Sequence, residues 1–552
     1  MQKQNKSIFR PLQWLDDNLI FLLAIFLLIF IPLYPKWPLF DILPGYIVRI
    51  RLEDFFVSIT FLVFIVQVIR KKNKVFPNPL WVPFLIFAAI GFLSCLSAIF
   101  ITRSVPFQLL HISKIFLHYF RRLEYISLFF IFFSAIKNLK QLKQAVFVSG
   151  FVLLVVAIYG FGQKYLYWPV YSTMNREFSK GWRLVLTEHA RVPSTFAGHY
   201  DLAAYLALFL VIFISLAIYV KKTSWRLFFW LIFILGFFTL ILTASRTSFI
   251  SYMVGASLAI FLLSLREKKK FFWFISRLVP ITCFSLIVMF SFGDLSERFS
   301  NFLKLDLMRD YVNDLVRNKI FGIKENSLKY LSLNQDLSLV YSKSDAPPTV
   351  VSGQSNEGRA LPGDVYQDIP NLVATDSAEA TGSAVIKDNQ KEASVPGYVQ
   401  VRRNYSETAY VVGLSSAIRL DALWPMAIKG FLKNPLLGSG YSTLNKTSTA
   451  NFTEAESTDN DYLRNLGESG LLGTISFFAI IFLILKLSWQ KLPKIKSPFL
   501  YSLTIGIMAG TIALLLNAFY IDVFEASKIA FIFWAMAGIL MASLNFVTSK
   551  NE

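Results

Sequence analysis

Residues 199–220 read HYDLAAYLALFLVIFISLAIYV, and no charged residue follows Asp201 before Lys221. An α-helix rises about 1.5 Å per residue, so a run of about 20 apolar residues crosses roughly 30 Å of hydrocarbon. Runs of this kind recur from one end of the chain to the other. A soluble chain of this length would normally divide into several domains with charged surfaces. We therefore predict an integral membrane protein.

The composition excludes several other classes. Of the 552 residues, 55% are hydrophobic and 16% are charged, which excludes a disordered, collagen-like or disulfide-scaffold protein. The formal charge is +20, but the lysines and arginines form short clusters between apolar runs, as expected for membrane helices, and we exclude nucleic-acid binding. Cys95 and Cys283 lie inside apolar runs and are predicted to be small buried hydrophobic residues.

The apolar runs predict an all-α polytopic membrane protein with about twelve transmembrane helices. Nine precede a large extracytoplasmic loop and three follow it, which divides the chain into 1–292, 293–468 and 469–552. The predicted spans lie near 18–34, 54–70, 80–101, 120–137, 144–162, 201–219, 226–244, 247–265, 271–292, 469–488, 498–518 and 526–546.

Basic residues predict the orientation of these helices. Positive charge precedes the first run, which we interpret as an uncleaved helix, and it clusters in alternate connections that should be cytoplasmic: RKKNK (70–74), KNLKQLK (137–143), KK (221–222), REKKK (266–270) and KLPKIK (491–496). An even number of spans returns the C-terminus to the starting side. We predict that both termini face the cytoplasm.

The large loop has a polar centre and ordered flanks. Residues 335–400 are rich in Ser, Asp, Asn and Pro, which predicts disorder. Residues 296–316 have helical apolar spacing. The segment 415–435 is predicted to be amphipathic, with a break at Trp424 caused by Pro425. Its apolar stripe would contain Ile418, Leu423, Met426 and Ile428.

The first candidate site is the hairpin ILTASRTSFISYMVG (241–255), whose turn is so short that Arg246 must lie at the outer membrane interface. Its guanidinium either contacts lipid headgroups or holds a diphosphate with its planar set of donors.

The second candidate site is TEHARVPSTFAGHYDLAAYL (187–206). Arg191 and His199 could contact an anionic substrate together with Ser194 or Thr195. Alternatively, Asp201 caps the sixth helix, while Arg191 and His199 are ordinary interfacial residues.

The third candidate site joins NPLLGSGYSTL (434–444) to STDNDYLRNLGESGLLG (457–473). A carboxylate here could accept a proton from an attacking hydroxyl. Alternatively, these residues cap a helix and form a turn. The acidic and amide residues concerned are Asp459, Asn460, Asp461 and Glu468.

The fourth candidate site is HYFRRLEYISLFF (118–130). Arg121 or Arg122 either pairs with Glu124 as a structural clamp or faces a substrate cavity.

Four segments together resemble the O-antigen ligase and polymerase superfamily: RVPSTFAGHYDLAAYL, TASRTSF, RLDALWPMAIKGFLKNPLLGSGY and DNDYLRNLGESGLLG. The resemblance covers roughly residues 120–520 without the polar insert. It implies a metal-independent, inverting glycosyltransferase of the GT-C type without a cofactor, at the outer face of the cytoplasmic membrane. The donor would be an undecaprenyl-diphosphate-linked glycan, and the acceptor a glycan, lipid or protein in surface polysaccharide assembly.

The resemblance also assigns roles to residues. Arg191 and Arg246 match the arginines that hold the carrier diphosphate in family ligases. Asp459 stands where those ligases have a histidine, which favours a polymerase or another branch and makes Asp459 the predicted base. We therefore predict three catalytic residues, Asp459, Arg246 and Arg191. Residues expected to contact substrate are Arg419, His199, Asn460, Glu468 and Arg122.

Two other functions remain open from the sequence. A transporter or flippase of lipid-linked oligosaccharide would need charged or broken helices at the bilayer midplane, and the central parts of these runs are nearly free of charge. A non-catalytic assembly scaffold is the third alternative.

Overall fold

The computed structural model describes residues 2–35, 37–41, 49–72, 80–172, 183–187, 190–293, 295–296, 373–374, 398–399, 414–444 and 458–547. The chain divides into two compact units. The helical unit comprises Met1–Val185, Val192–Ser291 and Leu423–Glu552. The loop unit comprises Leu186–Arg191 and Phe292–Ala422.

The described elements are almost all helices. They are α1 (Gln2–Leu33), α2 (Leu52–Ile69), α3 (Trp81–Phe100), α4 (Leu109–Ala135), α5 (Leu139–Tyr165), α6 (His199–Tyr219), α7 (Thr223–Leu242), α8 (Arg246–Ser264), α9 (Lys270–Ser291), α10 (Leu414–Ile418), α11 (Trp424–Lys433), α12 (Asp461–Lys491), α13 (Pro498–Asn517) and α14 (Ser527–Ser543). Two short antiparallel pairs join β1 (Pro38–Asp41) to β2 (Arg49–Arg51) and β3 (Val373–Ala374) to β4 (Tyr398–Val399).

The prediction of an all-α polytopic membrane protein is confirmed. Within the described ranges, eleven helices are long and apolar enough to cross a membrane. Each of the twelve predicted runs lies in a helix. The remaining helix, α4, is too polar to be among the eleven, since it carries Lys114, His118, Arg121, Arg122 and Glu124. With 27 residues it is nevertheless long enough to cross the bilayer.

The core of the helical unit is formed by α6, α13 and α14, which are buried over almost their whole length. Glycines on α13 allow close packing against α6. A Cβ atom at Gly506 would lie 2.9 Å from the Ile212 Cα atom, and one at Gly510 would lie 3.0 Å from the Leu208 carbonyl oxygen. Small residues four apart are the usual means of close helix packing in membranes, where backbones can then touch.

Polar side chains at the helix starts explain several boundaries. Asn138 accepts a hydrogen bond from the Gln141 amide at the start of α5, and Ser497 does so from Leu500 at the start of α13, where Pro498 occupies the first turn. These caps satisfy amides that have no partner within the helix.

One packing prediction is wrong. Cys95 is buried as expected, but Cys283 on α9 is exposed, because only one face of this helix is covered. Of the predicted stripe on 415–435, Leu423 is buried, whereas Ile418 and Ile428 are exposed. The buried face instead carries small residues, which let the backbone approach its neighbours.

The irregularity expected near Trp424 is present. The five residues Arg419–Leu423 form a π-helical turn, and Pro425 lies in the first turn of α11. Proline is tolerated there because the amide it removes has no helical partner. The segments predicted over 296–316 and 335–400 lie outside the described residues apart from residue 296 and the short strands β3 and β4.

Candidate functional site

Several helix ends meet at one end of the helical unit, which we call the polar end. The side chain of Asn517, at the end of α13, donates to Ser248 at the start of α8 over 2.9 Å. The next residue, Ala518, accepts a hydrogen bond from the amide of Asp461, the first residue of α12. The starts of α8 and α12 therefore lie against the same end of α13.

Arg122 on α4 lies in a buried ionic network at this end. Its Nη1 donates to Asn465 at 2.9 Å, and its Nη2 lies 2.6 Å from carboxylate oxygens of both Glu468 and Glu525. The predicted pairing with Glu124 is wrong for both arginines, because the neighbouring Arg121 donates to Asp54 at 2.8 Å.

A second guanidinium completes the network. Arg464 on α12 lies 2.8 Å from Asp522, 3.3 Å from Glu468 and 3.8 Å from Glu525. Two arginines are thus paired with three carboxylates. Because Arg122 is already occupied on both terminal nitrogens, it serves in this arrangement as a tie between α4, α12 and the α13–α14 connection.

Outside the membrane-spanning helices, burial shifts the pKa values of two side chains, Tyr441 and Glu525. Tyr441 is buried with the Arg122 guanidinium 4.7 Å from its ring centroid, and burial raises the pKa of its hydroxyl well above the ordinary value. The phenol therefore stays neutral beside the cation. Burial also raises the pKa of Glu525, while Arg122 and Arg464 oppose that rise.

Asp522 holds the segment that contains the predicted base. Its two carboxylate oxygens accept hydrogen bonds from the amides of Thr458 at 3.0 Å and Asn460 at 2.8 Å. Between them, Asp459 has a φ of +50°, in the left-handed region that few residues other than glycine adopt. A carboxylate bound to the amides on either side therefore stabilises a strained conformation of Asp459.

Asn460 is the N-cap of α12, and its side chain accepts from the Leu463 amide at 3.0 Å. The helix begins at Asp461, earlier than the predicted span 469–488. The capping interpretation is therefore correct for this segment, although Asn460 rather than Asp461 or Glu468 provides the cap. Asp461 is fully buried and accepts from the Phe524 amide at 3.2 Å.

The glycine-rich turn at 434–444 packs against a kink in α12. Gly470, inside that helix, has φ +65° and ψ −167°. The carbonyl groups of Gly467 and Glu468 consequently accept from the amides of Ser439 at 2.9 Å and Gly440 at 2.8 Å. Two amides of the GSG sequence are therefore used within the protein, which argues against a phosphate-binding loop at this place.

Arg246 is the first residue of α8, directly after a tight turn. Ala244 in that turn has φ +50°, and Ser245 caps the helix by accepting from the Ser248 amide. The hairpin predicted around Arg246 is thus present. The side chain is half-buried at the positive end of the helix dipole, where anions are stabilised.

His199 is the first residue of α6 and is almost fully buried. The N-cap is Gly198, so the alternative in which Asp201 caps this helix is wrong; Asp201 lies in its first turn. The preceding Thr195 donates to the Pro32 carbonyl at 2.6 Å and is thereby attached to the end of α1.

Lys528 on α14 fixes the same region and was not predicted. Its ammonium group is fully buried and donates to three carbonyl groups, those of Pro32 at 3.1 Å, Tyr34 at 2.6 Å and Thr195 at 2.7 Å. It also lies 4.9 Å from the Phe196 ring centroid. This cation binds backbone groups of the protein and is a structural element of the polar end.

Two predicted residues belong to the loop unit. Arg191 is buried at the end of Leu186–Arg191, and Arg419 is buried as the first residue of the π-helical turn. The pairing of Arg191 with Arg246 in a diphosphate clamp stays a prediction.

The structure therefore brings Arg122, Asn460 and Glu468 into one connected network, with Asp459 directly adjacent. Sequence reasoning missed four members of that network. Arg464 and Asn465 could have been found by helical spacing, since they lie four and three residues before Glu468 on one face. Asp522 and Glu525 could have been found as carboxylates in a short connection between two apolar helices.

Neither a protein-family model nor a curated protein matches the chain. Among the described residues, no group of three or more His, Cys, Asp or Glu side chains is arranged to hold a metal ion.

Proposed function

We propose that the protein transfers a glycan from an undecaprenyl-diphosphate carrier to an acceptor hydroxyl, as a polymerase or ligase of the O-antigen type. One observation carries the proposal: the helix start with Arg246 and the strained turn with Asp459 flank the same end of α13. A cation for a leaving diphosphate and a carboxylate for an attacking hydroxyl thus belong to one end of the helical unit.

The proposed reaction needs two groups. The acceptor oxygen attacks the anomeric carbon, the bond from that carbon to the carrier diphosphate breaks, and the diphosphate leaves with the electron pair. Arg246 and the N-terminus of α8 stabilise the charge that develops on the leaving group. The proton of the acceptor hydroxyl passes to the Asp459 carboxylate. Arg191 is the second proposed diphosphate ligand, and Arg419 is proposed to orient a glycan.

Asp522 is a positioning residue in this proposal, because it binds the amides on both sides of Asp459. Arg122, Asn460 and Glu468 hold helices in place, so their proposed contribution is to fix the site rather than to contact the donor.

The proposed location is the cytoplasmic membrane, with the polar end outward. The opposite end of the helical unit carries Arg70, Lys72 and Lys137, which contact Asp16 or Asp17 near the start of the apolar part of α1. An excess of basic residues is typical of the cytoplasmic side, and this orientation also places both termini there.

Replacement of Arg246 tests the diphosphate assignment. The transfer rate is measured in lipid nanodiscs with an undecaprenyl-diphosphate-linked repeat unit as donor. The rate of the Arg246→Ala variant should be lower than that of the wild type by roughly 100-fold or more, because the charge that develops on the leaving diphosphate is no longer stabilised. Arg266→Ala is the matched control: this arginine follows the opposite end of α8, is exposed and bonds the Lys496 carbonyl. Equal activity of the two variants would remove Arg246 from the proposed site.

Replacement of Asp459 tests the base. Asp459→Asn keeps the size of the side chain and should lower kcat by roughly 100-fold to 10,000-fold. Asp522→Asn should lower kcat less, because it disturbs only the position of Asp459, and Asp16→Asn at the other end should have no effect. A fully active Asp459→Asn variant would mean that another group takes the proton.

The products separate the remaining alternatives. A ladder of longer lipid-linked chains indicates a polymerase, and label found only on an added acceptor indicates a ligase. Movement of unchanged donor across the membrane would contradict the proposal and indicate a flippase.

A further inference from the structure

A groove lies at the end of the helical unit opposite to the polar end, and the proposed reaction does not use it. Its volume is about 660 Å³, and it is bounded by α1, α5 and α7. The residues that characterise it are Phe21, Ile25, Lys140, Lys143, Phe147 and Trp225.

The groove belongs to the basic end of the helices. It is formed by the first turns of α5 and α7, whereas the last residue of α7, Leu242, accepts a hydrogen bond from the Val192 amide near the polar end. A helix of 20 residues is about 30 Å long, so a bilayer thickness separates the two places.

The walls of the groove are apolar and fixed by aromatic contacts. The Trp225 ring lies 6.3 Å from Phe147 and 6.0 Å from Phe499, measured between ring centroids. Phe147 also stacks on Phe228 at 4.5 Å. Tryptophan is enriched at the level of lipid headgroups because its ring is amphipathic. A lipid with its headgroup at the level of Trp225 would have its acyl chain along the apolar wall of the groove.

Two lysines provide the charge at the rim. Lys140 and Lys143 lie three residues apart on α5 and therefore on one side of it, beside Gln144. Lys140 is exposed and Lys143 is half-buried, with its amine 5.9 Å from the Phe499 ring centroid. The nearby carboxylates of Asp16 and Asp17 on α1 are paired with Lys72.

We propose that this groove binds one anionic phospholipid of the surrounding bilayer. An acyl chain lies along Phe21, Ile25 and Phe147, and the phosphate lies between the Lys140 and Lys143 amines, with Trp225 at the glycerol level. Basic pockets between membrane helices bind anionic headgroups through this combination of charge and apolar wall. The inference is independent of the proposed reaction.

Native mass spectrometry of the delipidated full chain tests it. Phosphatidylglycerol and phosphatidylcholine with the same acyl chains are added in turn, and the first binding event is quantified. The wild type should prefer phosphatidylglycerol. The double variant Lys140→Gln, Lys143→Gln should lose roughly 10-fold to 30-fold in affinity for phosphatidylglycerol and little for phosphatidylcholine.

The matched control is Lys221→Gln, Lys222→Gln, which removes two exposed lysines just before α7 and should keep the wild-type preference. Equal binding of the two lipids to the wild type would overturn the proposal, as would an equal loss in both double variants. Undecaprenyl phosphate that displaces phosphatidylglycerol at equimolar concentration would identify a carrier-lipid site and contradict it too. Unchanged elution in size exclusion shows that each variant is folded.

Discussion

Ion pairs occur at both ends of the helical unit, but in opposite surroundings. At the polar end, Arg122 and Glu468 are buried with side-chain exposures of 7% and 1%. At the basic end, Asp16 is bound by Arg70 and Lys72, and these side chains are 28% to 50% exposed. The first set is enclosed by helices, whereas the second is open to water and salt.

The two sets of ion pairs differ in what can solvate a charge after its partner has been removed. Water and ions solvate an exposed charge, so an exposed pair contributes little to stability. A buried charge without its partner has no such replacement, and the helices around it must rearrange or remain strained. The buried network should therefore contribute more to the stability of the helical unit than the exposed ion pairs do, and substitutions at the two ends test this comparison.

Arg122→Gln should have the largest effect. Two guanidinium groups are shared among three carboxylates, so loss of Arg122 leaves Arg464 alone with Glu468, Asp522 and Glu525. We expect a loss of about 3–5 kcal/mol in the free energy of unfolding. Glu468→Gln should cost less, because it leaves two cations and two carboxylates. Thermal unfolding in the same detergent measures both.

An equal or larger loss for Glu468→Gln would show that the charge balance does not control the network. In that case the bond from the Ser442 amide to Glu468, at 3.1 Å, would be the more important contact.

Gly470→Ala should have the next largest effect. The backbone conformation of Gly470, with positive φ and extended ψ, costs about 1–3 kcal/mol for a residue with a side chain. In addition, the new Cβ atom would lie 2.4 Å from the Leu436 carbonyl carbon, a backbone atom that cannot move by itself. Gly160→Ala on α5 is the control, because Gly160 has no positive φ and its new Cβ atom would come no closer than 3.2 Å to another atom, in the Val192 side chain. Similar melting temperatures for the two variants would contradict a requirement for the kink.

Lys72→Ala should have the smallest effect. It removes exposed contacts to Asp16 and Asp17, and Arg70 still binds Asp16. The melting temperature should change little, and the difference should shrink further when salt is added. A loss as large as that of Arg122→Gln would end the distinction between the two ends.

Much of the fold could be predicted because the bilayer imposes a length and a composition on each span. All twelve predicted runs form helices, including α4, which carries several charged residues. The start of α12 was placed too late, because Asp461 and Glu468 suggested a polar connection. They are tolerated inside the helix since Arg464 and the Phe524 amide bind them.

The candidate site was predictable only in part. Asp459 and Asn460 could be selected by residue type, and the tight turn fixed the place of Arg246. The partners of Arg122 could not be predicted, because Glu468 and Glu525 lie hundreds of residues away in sequence. Contacts at such separations depend on which helix faces which, and apolar periodicity in a fully buried helix such as α6 does not indicate a preferred face.

Lys528 has a consequence for biogenesis. The amine is on α14, whereas two of its three carbonyl partners lie about 500 residues earlier, at the end of α1. The chain is synthesised from the N-terminus to the C-terminus. Those carbonyl groups are therefore inserted before Lys528 is made, and they cannot bind its amine until the intervening segments have been inserted. This contact therefore forms late in membrane insertion, and truncation ahead of Ser527 should yield an inserted product that quality-control proteases remove.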